Sequence, residues 1–266
     1  MPEKLTGLKI KNFILDTLFP ISCLSCGAPD VWLCPECFSK IKILPDQVCP
    51  YCEKVFAETG AVCPACKISY LKKNDQPPLD SLVVAAKYAD GNLARLVHAF
   101  KYNFVQDLSL PLGNLLVRAA TVNDLPLPDL IVPVPLHPRR LRWRGFNQAE
   151  RLADYLAQNL APGMIIPIGK NIIRRRIYTP PQMKIKNYRE RQKNLAGAFV
   201  INPPSPVLGR GAGSEGEGLQ GKTILLVDDI CTTGSTLLEC ARALKLGGAK
   251  KVHALVLARQ EMGKKK

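Results

Sequence analysis

The chain has no apolar stretch approaching the roughly 18 consecutive residues that a membrane-spanning helix needs. The best candidate, Leu8 to Ile21, is broken by Lys11 and Asp16. The N-terminus also lacks the uninterrupted apolar core and small-residue cleavage site of a signal peptide. We therefore expect a protein of the reducing cytoplasm, in which cysteines are thiols or metal ligands. Aromatic residues are scarce, at 6%, which limits recognition by base stacking. Acidic side chains are few as well: 22 Asp+Glu against 37 Lys+Arg, a net charge of +15. The expected partners are anionic: nucleic acid, phosphorylated metabolites or an acidic surface. What is abundant is apolar content, 47% of 266 residues. That excludes disorder and suffices for one large domain, or for a core domain plus a small module.

The positive charge is concentrated. Residues 137–194 carry 14 basic and 3 acidic side chains, +11 of the net +15. This stretch needs a functional account.

Eight of the ten cysteines fall into four pairs with two residues between them: Cys23/Cys26, Cys34/Cys37, Cys49/Cys52 and Cys63/Cys66. Two intervening residues let a tight turn aim both thiolates at one tetrahedral ion, and two such turns close a four-cysteine site. Eight ligands make two structural Zn2+ sites. A disulfide framework is disfavoured by the compartment, and a thioredoxin-like redox site by four repeats without a surrounding βαβ pattern. Spacing leaves open whether the pairs combine sequentially or in a cross-braced order; the sequential reading makes each half a self-contained ribbon. So short a module has little core, and the metal should supply its folding free energy. A closed site has no open coordination position for catalysis.

Leu5, Leu8, Phe13, Ile14 and Leu18 approximate helical spacing, so residues 1–20 read as an N-terminal helix packed on the main domain, in preference to a membrane-surface anchor. Residues 21–74 form the double zinc ribbon, and Pro77 and Pro78 mark the linker out of it. From 81 to 266 the pattern is α/β. Strands are expected at Ser81 to Tyr88, Asp129 to Leu136, Thr223 to Val227 and Val252 to Ala258. Helices are expected at Asn92 to Tyr102, Asp107 to Val122, Asn147 to Leu160 and Ser235 to Leu246. This alternation argues a parallel sheet with helices on both faces and ligands at the carboxyl ends of the strands. Cys231 and Cys240 read as buried small hydrophobes, and His98 and His253 as packed side chains.

Two literal motif matches fail on context. Gly211 to Gly216 fits a dinucleotide fingerprint and Gly216 to Thr223 a P-loop, but each motif needs a strand before it and a helix after it. Here a Gly- and Glu-rich stretch precedes, and a strand follows. Residues 203–221 read instead as a flexible surface loop.

The informative segment is Ile224-Leu-Leu-Val-Asp228-Asp229-Ile-Cys-Thr232-Thr233-Gly234-Ser235-Thr236. An apolar strand leads to two adjacent carboxylates, and a turn of hydroxyls and glycine then opens a helix. Helix N-terminal N–H groups, the macrodipole and hydroxyl donors make an anion site. Paired carboxylates before such a site repel an anion unless they bind its hydroxyls or a hard cation such as Mg2+. A sugar phosphate with vicinal hydroxyls meets both conditions.

This segment resembles the phosphoribosyl-pyrophosphate (PRPP) loop of type I phosphoribosyltransferases. Together with His98-Ala-Phe-Lys101-Tyr102, Ile131 to Arg140, Arg144-Gly-Phe-Asn-Gln148, Arg189 to Phe199 and the zinc cysteines, it resembles the ComF family of competence proteins. The resemblance implies a type I phosphoribosyltransferase fold behind the zinc ribbons. It implies that Asp228 and Asp229 hold the ribose hydroxyls and that Thr232, Thr233, Gly234, Ser235 and Thr236 hold the 5-phosphate, with Mg2+. A loop from His137 to Gln148 would bring Arg139, Arg140, Arg142 and Arg144 to the pyrophosphate. A second basic loop, with Arg174, Arg175, Arg176, Tyr178, Arg189 and Arg191, would close over it. Arg144, Lys101 and Tyr178 are implied at the reacting centre. The same basic loops suit single-stranded DNA. The implied setting is DNA uptake in natural transformation, at the cytoplasmic face of the membrane, with a competence helicase and the membrane uptake machinery as partners. Two classes stay open: a Mg2+-dependent phosphoribosyltransferase, and a non-catalytic single-stranded-DNA-binding scaffold or PRPP sensor.

Overall fold

A computed structural model describes residues 21–89, 91–103, 105–177, 197–202 and 218–260. The N-terminal helix, Tyr178, Arg189, Arg191 and most of the 203–221 loop lie outside the described residues.

The zinc module holds two short helices, α1 (Pro35–Ser39) and α2 (Pro64–Leu71). Each begins on a Cys-Pro step. Cys34 and Cys63 occupy the N-cap positions and the proline takes the first helical turn, where its missing N–H costs nothing. The Cys-Pro-x-Cys spacing therefore places two sulfurs on one helix start.

The body follows as β1 (Ser81–Lys87), α3 (Gly91–Tyr102), α4 (Ser109–Val122), β2 (Leu130–Pro133), α5 (Pro138–Arg144), α6 (Gln148–Asn159), β3 (Ile173–Arg175), β4 (Phe199–Ile201), β5 (Thr223–Cys231), α7 (Ser235–Leu246) and β6 (Lys251–Arg259). Four strands form a parallel sheet in the order β1-β6-β5-β2, and β3 and β4 pair antiparallel apart from it. The sheet strands are continuous apolar runs because both faces are covered. One face packs Val83, Leu225, Val227 and Leu255 against α3, α4 and α6, around Phe100, Leu112 and Leu152. The other packs Val84, Leu226 and Val256 against α7 and the β3-β4 pair, around Leu237, Leu244 and Phe199.

An open β1 edge would expose unpaired N–H and C=O groups. The segment between the two zinc clusters covers it: Ile43 bridges Ala86, and the Leu44 N–H donates to the Ala85 carbonyl at 2.9 Å. Buried Gln47 donates to the Leu44 and Val84 carbonyls and accepts from the Val84 N–H at 2.9 Å. The module is built into the sheet edge.

Three sequence expectations change. The stretch from His137 to Gln148, read as a loop, contains α5: Pro138 opens it, the His137 ring accepts from the Arg139 N–H at 3.2 Å, and Gly145 ends it at φ +76°. β5 does not stop at Val227. It continues to Cys231 because Asp228 to Cys231 keep pairing with Val256 to Arg259 of β6. The pair β3-β4 was not foreseen, since three-residue strands carry too little periodicity to read.

Candidate functional site

A cavity of about 500 Å3 opens at the carboxyl end of β5, where β2, α3, α5 and the N-terminus of α7 converge. β5 supplies the acidic pair. Asp229 is buried and bonded to Lys101 of α3, Nζ to Oδ1 at 2.8 Å. Asp228 accepts from the Asp229 N–H at 2.8 Å. Burial, and then the Asp229 charge, push the Asp228 carboxyl up to about 7 against the pull of Lys101 and Arg175. A carboxyl held so high fits a site completed by a hydroxyl-bearing or cationic ligand. Asp228 and Asp229 are the residues that would hold Mg2+.

The turn after β5 enters α7 through Gly234 at φ +69°, a left-handed conformation open to glycine at little cost. Thr232, Gly234, Ser235 and Thr236 line the cavity beside this helix N-terminus, an electropositive end that favours anions. Thr233 does not line it. Its hydroxyl is buried against Ser235 Oγ at 2.7 Å, which makes it a brace for the turn.

The arginines separate by the geometry of their elements. From α5, Arg139, Arg140 and Arg144 line the cavity, while Arg142 is exposed outside it, contrary to its expected pyrophosphate contact. Arg144 donates to Gln148 Oε1 at 3.0 Å. Its Nε is buried with no hydrogen-bond partner among the described residues, a donor held for a ligand. In β3 the two-residue alternation splits the triplet. Arg175 is buried over the Phe199 ring and reaches the cavity, whereas Arg174 and Arg176 are exposed on a neighbouring cleft of about 450 Å3 together with Lys170. That cleft shares Pro135, Leu136, Asn147 and Arg175 with the first. Burial, then Arg175 and the α5 arginines, lower the His137 pKa.

Sequence reasoning missed part of the lining. His98, expected to be packed, is exposed on α3 and lines the cavity beside Tyr102 and Trp143. His253 is packed, bonded to the Ser81 hydroxyl at 2.7 Å, and Cys231 and Cys240 are buried. Cys231 also lines the cavity and accepts from Arg259 Nε at 3.4 Å.

The eight cysteines gather as Cys23, Cys26, Cys34, Cys37 and as Cys49, Cys52, Cys63, Cys66, the sequential grouping, with all four sulfurs of each set within 4.8 Å of one another. Zn–S bonds of about 2.3 Å imply a tetrahedral edge of about 3.8 Å. Cys26 and Cys34 sulfurs are 3.6 Å apart, and those of Cys52 and Cys63 3.8 Å. N–H donors from Cys34 and Cys63 reach Cys23 and Cys49 Sγ at 3.5 and 3.4 Å. Local surroundings set the thiols apart: the Lys54 and Val55 N–H groups bring Cys52 down to about 6, while burial and then the Cys63 thiol push Cys66 up to about 12. The donor sets fit two structural zinc ions.

Among the described residues no helix is long and apolar enough to cross a membrane.

Comparison with known proteins matches residues 14–67 to the double zinc ribbon domain and residues 144–266 to the phosphoribosyl transferase domain. The chain is 32% identical over 231 residues to competence protein F of Haemophilus influenzae, covering 85% of this chain and 90% of that one. It is 30% identical over 224 residues to the DNA utilization protein YhgH of Escherichia coli, 80% and 90% of the two chains. It is 26% identical over 247 residues to competence protein ComFC of Bacillus subtilis, 87% and 85%.

Proposed function

The chain belongs to the ComF family, a phosphoribosyl transferase domain behind a double zinc ribbon, and from that premise we propose that it binds PRPP with Mg2+ and serves DNA uptake in competence. The observation that carries the ligand reading is convergence. The acidic pair on β5, the hydroxyl turn at the start of α7 and Arg139, Arg140, Arg144 and Arg175 all line one cavity.

Each group of the ligand has a partner of the right chemistry. The 5-phosphate sits on the α7 N-terminus among Thr232, Gly234, Ser235 and Thr236. Asp228 and Asp229 accept from the ribose hydroxyls, and Lys101 pairs with Asp229 at 2.8 Å. The pyrophosphate lies on guanidinium forks, which pair phosphate oxygens two at a time. Bound Mg2+ would neutralise pyrophosphate charge. Positioning and stabilisation of a departing pyrophosphate are what transfer from PRPP to an acceptor would require of these residues.

The relatives' names, competence protein and DNA utilization protein, support the biological setting. The exposed Arg142, Arg174 and Arg176, outside the first cavity, support a second activity in which the same face binds single-stranded DNA. Such binding weakens steeply with salt, log K falling by about 0.7 per decade for each phosphate neutralised on a single strand.

Calorimetric titration of PRPP and Mg2+ into the zinc-loaded protein tests the ligand reading. Binding is expected, and Asp229→Ala, which removes the carboxylate and strands Lys101, should abolish it. PRPP binding that is equal in the variant would sink this use of the cavity. A screen for pyrophosphate release then separates transfer from sensing.

A further inference from the structure

The mouth of the cavity carries a cluster that a sugar phosphate leaves unused. Tyr102 at the end of α3 and Trp143 in α5 bring their ring centroids to 6.1 Å at 59°. His98, one turn earlier, lies 4.8 Å from Tyr102, and the Arg144 guanidinium carbon lies 5.4 Å from the same ring. All four line the cavity. Trp143 is 60% exposed and Tyr102 38%. The chain has only two tryptophans, and one of them is exposed here. Flat apolar surface held in water at a cavity mouth marks a binding surface.

The charge around it identifies the occupant. Arg139, Arg140 and Arg144 line the same cavity as the rings, Arg142 is exposed on the same helix, and the adjoining cleft adds Arg174 and Arg176. Aromatic faces within a positive surface longer than one sugar phosphate match a polyanion that carries flat rings at intervals. We propose that Trp143 and Tyr102 form a stacking platform for a base of single-stranded DNA whose flanking phosphates lie on these arginines. A strand bound this way crosses the opening of the sugar-phosphate cavity, so both ligands use one mouth. The proposal rests on the DNA reading above and deepens it.

The test compares a short oligothymidylate with an abasic strand of equal length and phosphate count, both titrated into the full-length, zinc-loaded protein. Stacking predicts about tenfold or greater preference for the strand with bases, with quenching of tryptophan fluorescence. Trp143→Ala should bind oligothymidylate no better than the abasic strand, at unchanged zinc content and melting temperature, and Trp143→Phe should regain the preference. Equal binding of the two strands by the wild type overturns the platform and leaves the DNA reading standing. Binding of neither overturns both. A preference that survives in Trp143→Ala, or thymidine monophosphate binding as tightly as the strand, also overturns the platform.

Discussion

The zinc module and the ligand cavity are both built from groups that repel one another, and they resolve the repulsion differently. In the module, four thiols crowd within 4.8 Å and only a cation can let them ionise together. In the cavity, two carboxylates are adjacent, and the protein offsets part of the repulsion itself through Lys101 and Arg175. The difference follows from what surrounds each. The clusters Cys23/Cys34/Cys37 and Cys49/Cys63 are themselves the module's small buried centres, so removing the ion removes the core. The cavity sits at the end of a sheet whose two faces are both covered by apolar packing, so its walls rest on that core. One region draws its core from its metal-ligating cysteines; the other draws it from the sheet.

The largest expected effect tests that contrast. Replacing Cys49 and Cys52 with Ser should release one of two zinc ions and unfold the second ribbon, since structural zinc in isolated fingers contributes about 10–16 kcal/mol of binding. Zinc content, with proteolysis mapped by mass spectrometry, reads this directly: cleavage should concentrate near 49–66 while the sheet stays protected. Unchanged zinc would refute the ligand assignment. Global unfolding would show that the Leu44 and Gln47 bonds to β1 make module and sheet one cooperative unit, and the contrast would fail.

Legibility in the sequence follows the same divide. The zinc sites could be read because each ligand pair is local, and the phosphate turn because strand, carboxylates, turn and helix are consecutive; α7 begins and ends where its sequence places it, at Ser235 and Leu246. The parallel strands were visible as apolar runs. What stayed hidden needs distance or three dimensions. Tyr102, beside His98 on its own helix, meets Trp143 only because α3 and α5 both line one cavity. Arg174, Arg175 and Arg176 look alike in sequence, and only the strand conformation of β3 sends one inward and two outward. The helix α5 was missed because the stretch was read as the pyrophosphate loop that the resemblance implies, although Pro138 and Gly145 mark its ends.

A smaller effect concerns the cost of the acidic pair in the cavity. The Asp228 carboxyl is raised from 3.8 to about 7 by burial and by Asp229. Between roughly pH 4 and 7 the folded chain keeps a proton that the unfolded chain has lost, so stability falls as pH rises through this window and the penalty is complete above it. Asp228→Asn removes the penalty. It should match the wild type near pH 4 and melt a few degrees higher above pH 7, about 1–2 kcal/mol more stable. PRPP binding should slope the other way, strengthening in the wild type as Asp228 ionises through pH 7 and staying weak in the variant. Thermal melts and calorimetry across pH 5 to 8.5 measure both slopes. A melting difference independent of pH would assign the effect to packing instead of charge.

The smallest expected effect asks whether the two regions are independent. Arg259, at the end of β6 and 13% exposed, reaches in both directions: its Nη1 lies 3.7 Å from Glu53, the residue after zinc ligand Cys52, and its Nε donates to Cys231, the last residue of β5, which lines the cavity. Its Nη2 also approaches Gly234, where a Cβ would lie 3.9 Å away. Glu53 follows Cys52 at φ +56°, and its N–H donates to the carbonyl of zinc ligand Cys49 at 2.9 Å, which ties its backbone to the zinc turn. An ion pair whose acid is 43% exposed contributes at most about 1 kcal/mol, and Glu53→Gln should therefore weaken PRPP binding by only about two- to fivefold, with both zinc ions retained. Chelating zinc should weaken PRPP binding further in the wild type than in Glu53→Gln, because the variant has already lost the link through which the metal acts. Equal losses on chelation would mean that the second ribbon supports the cavity through the β1 edge and not through Arg259, and the two regions would be coupled by the sheet alone.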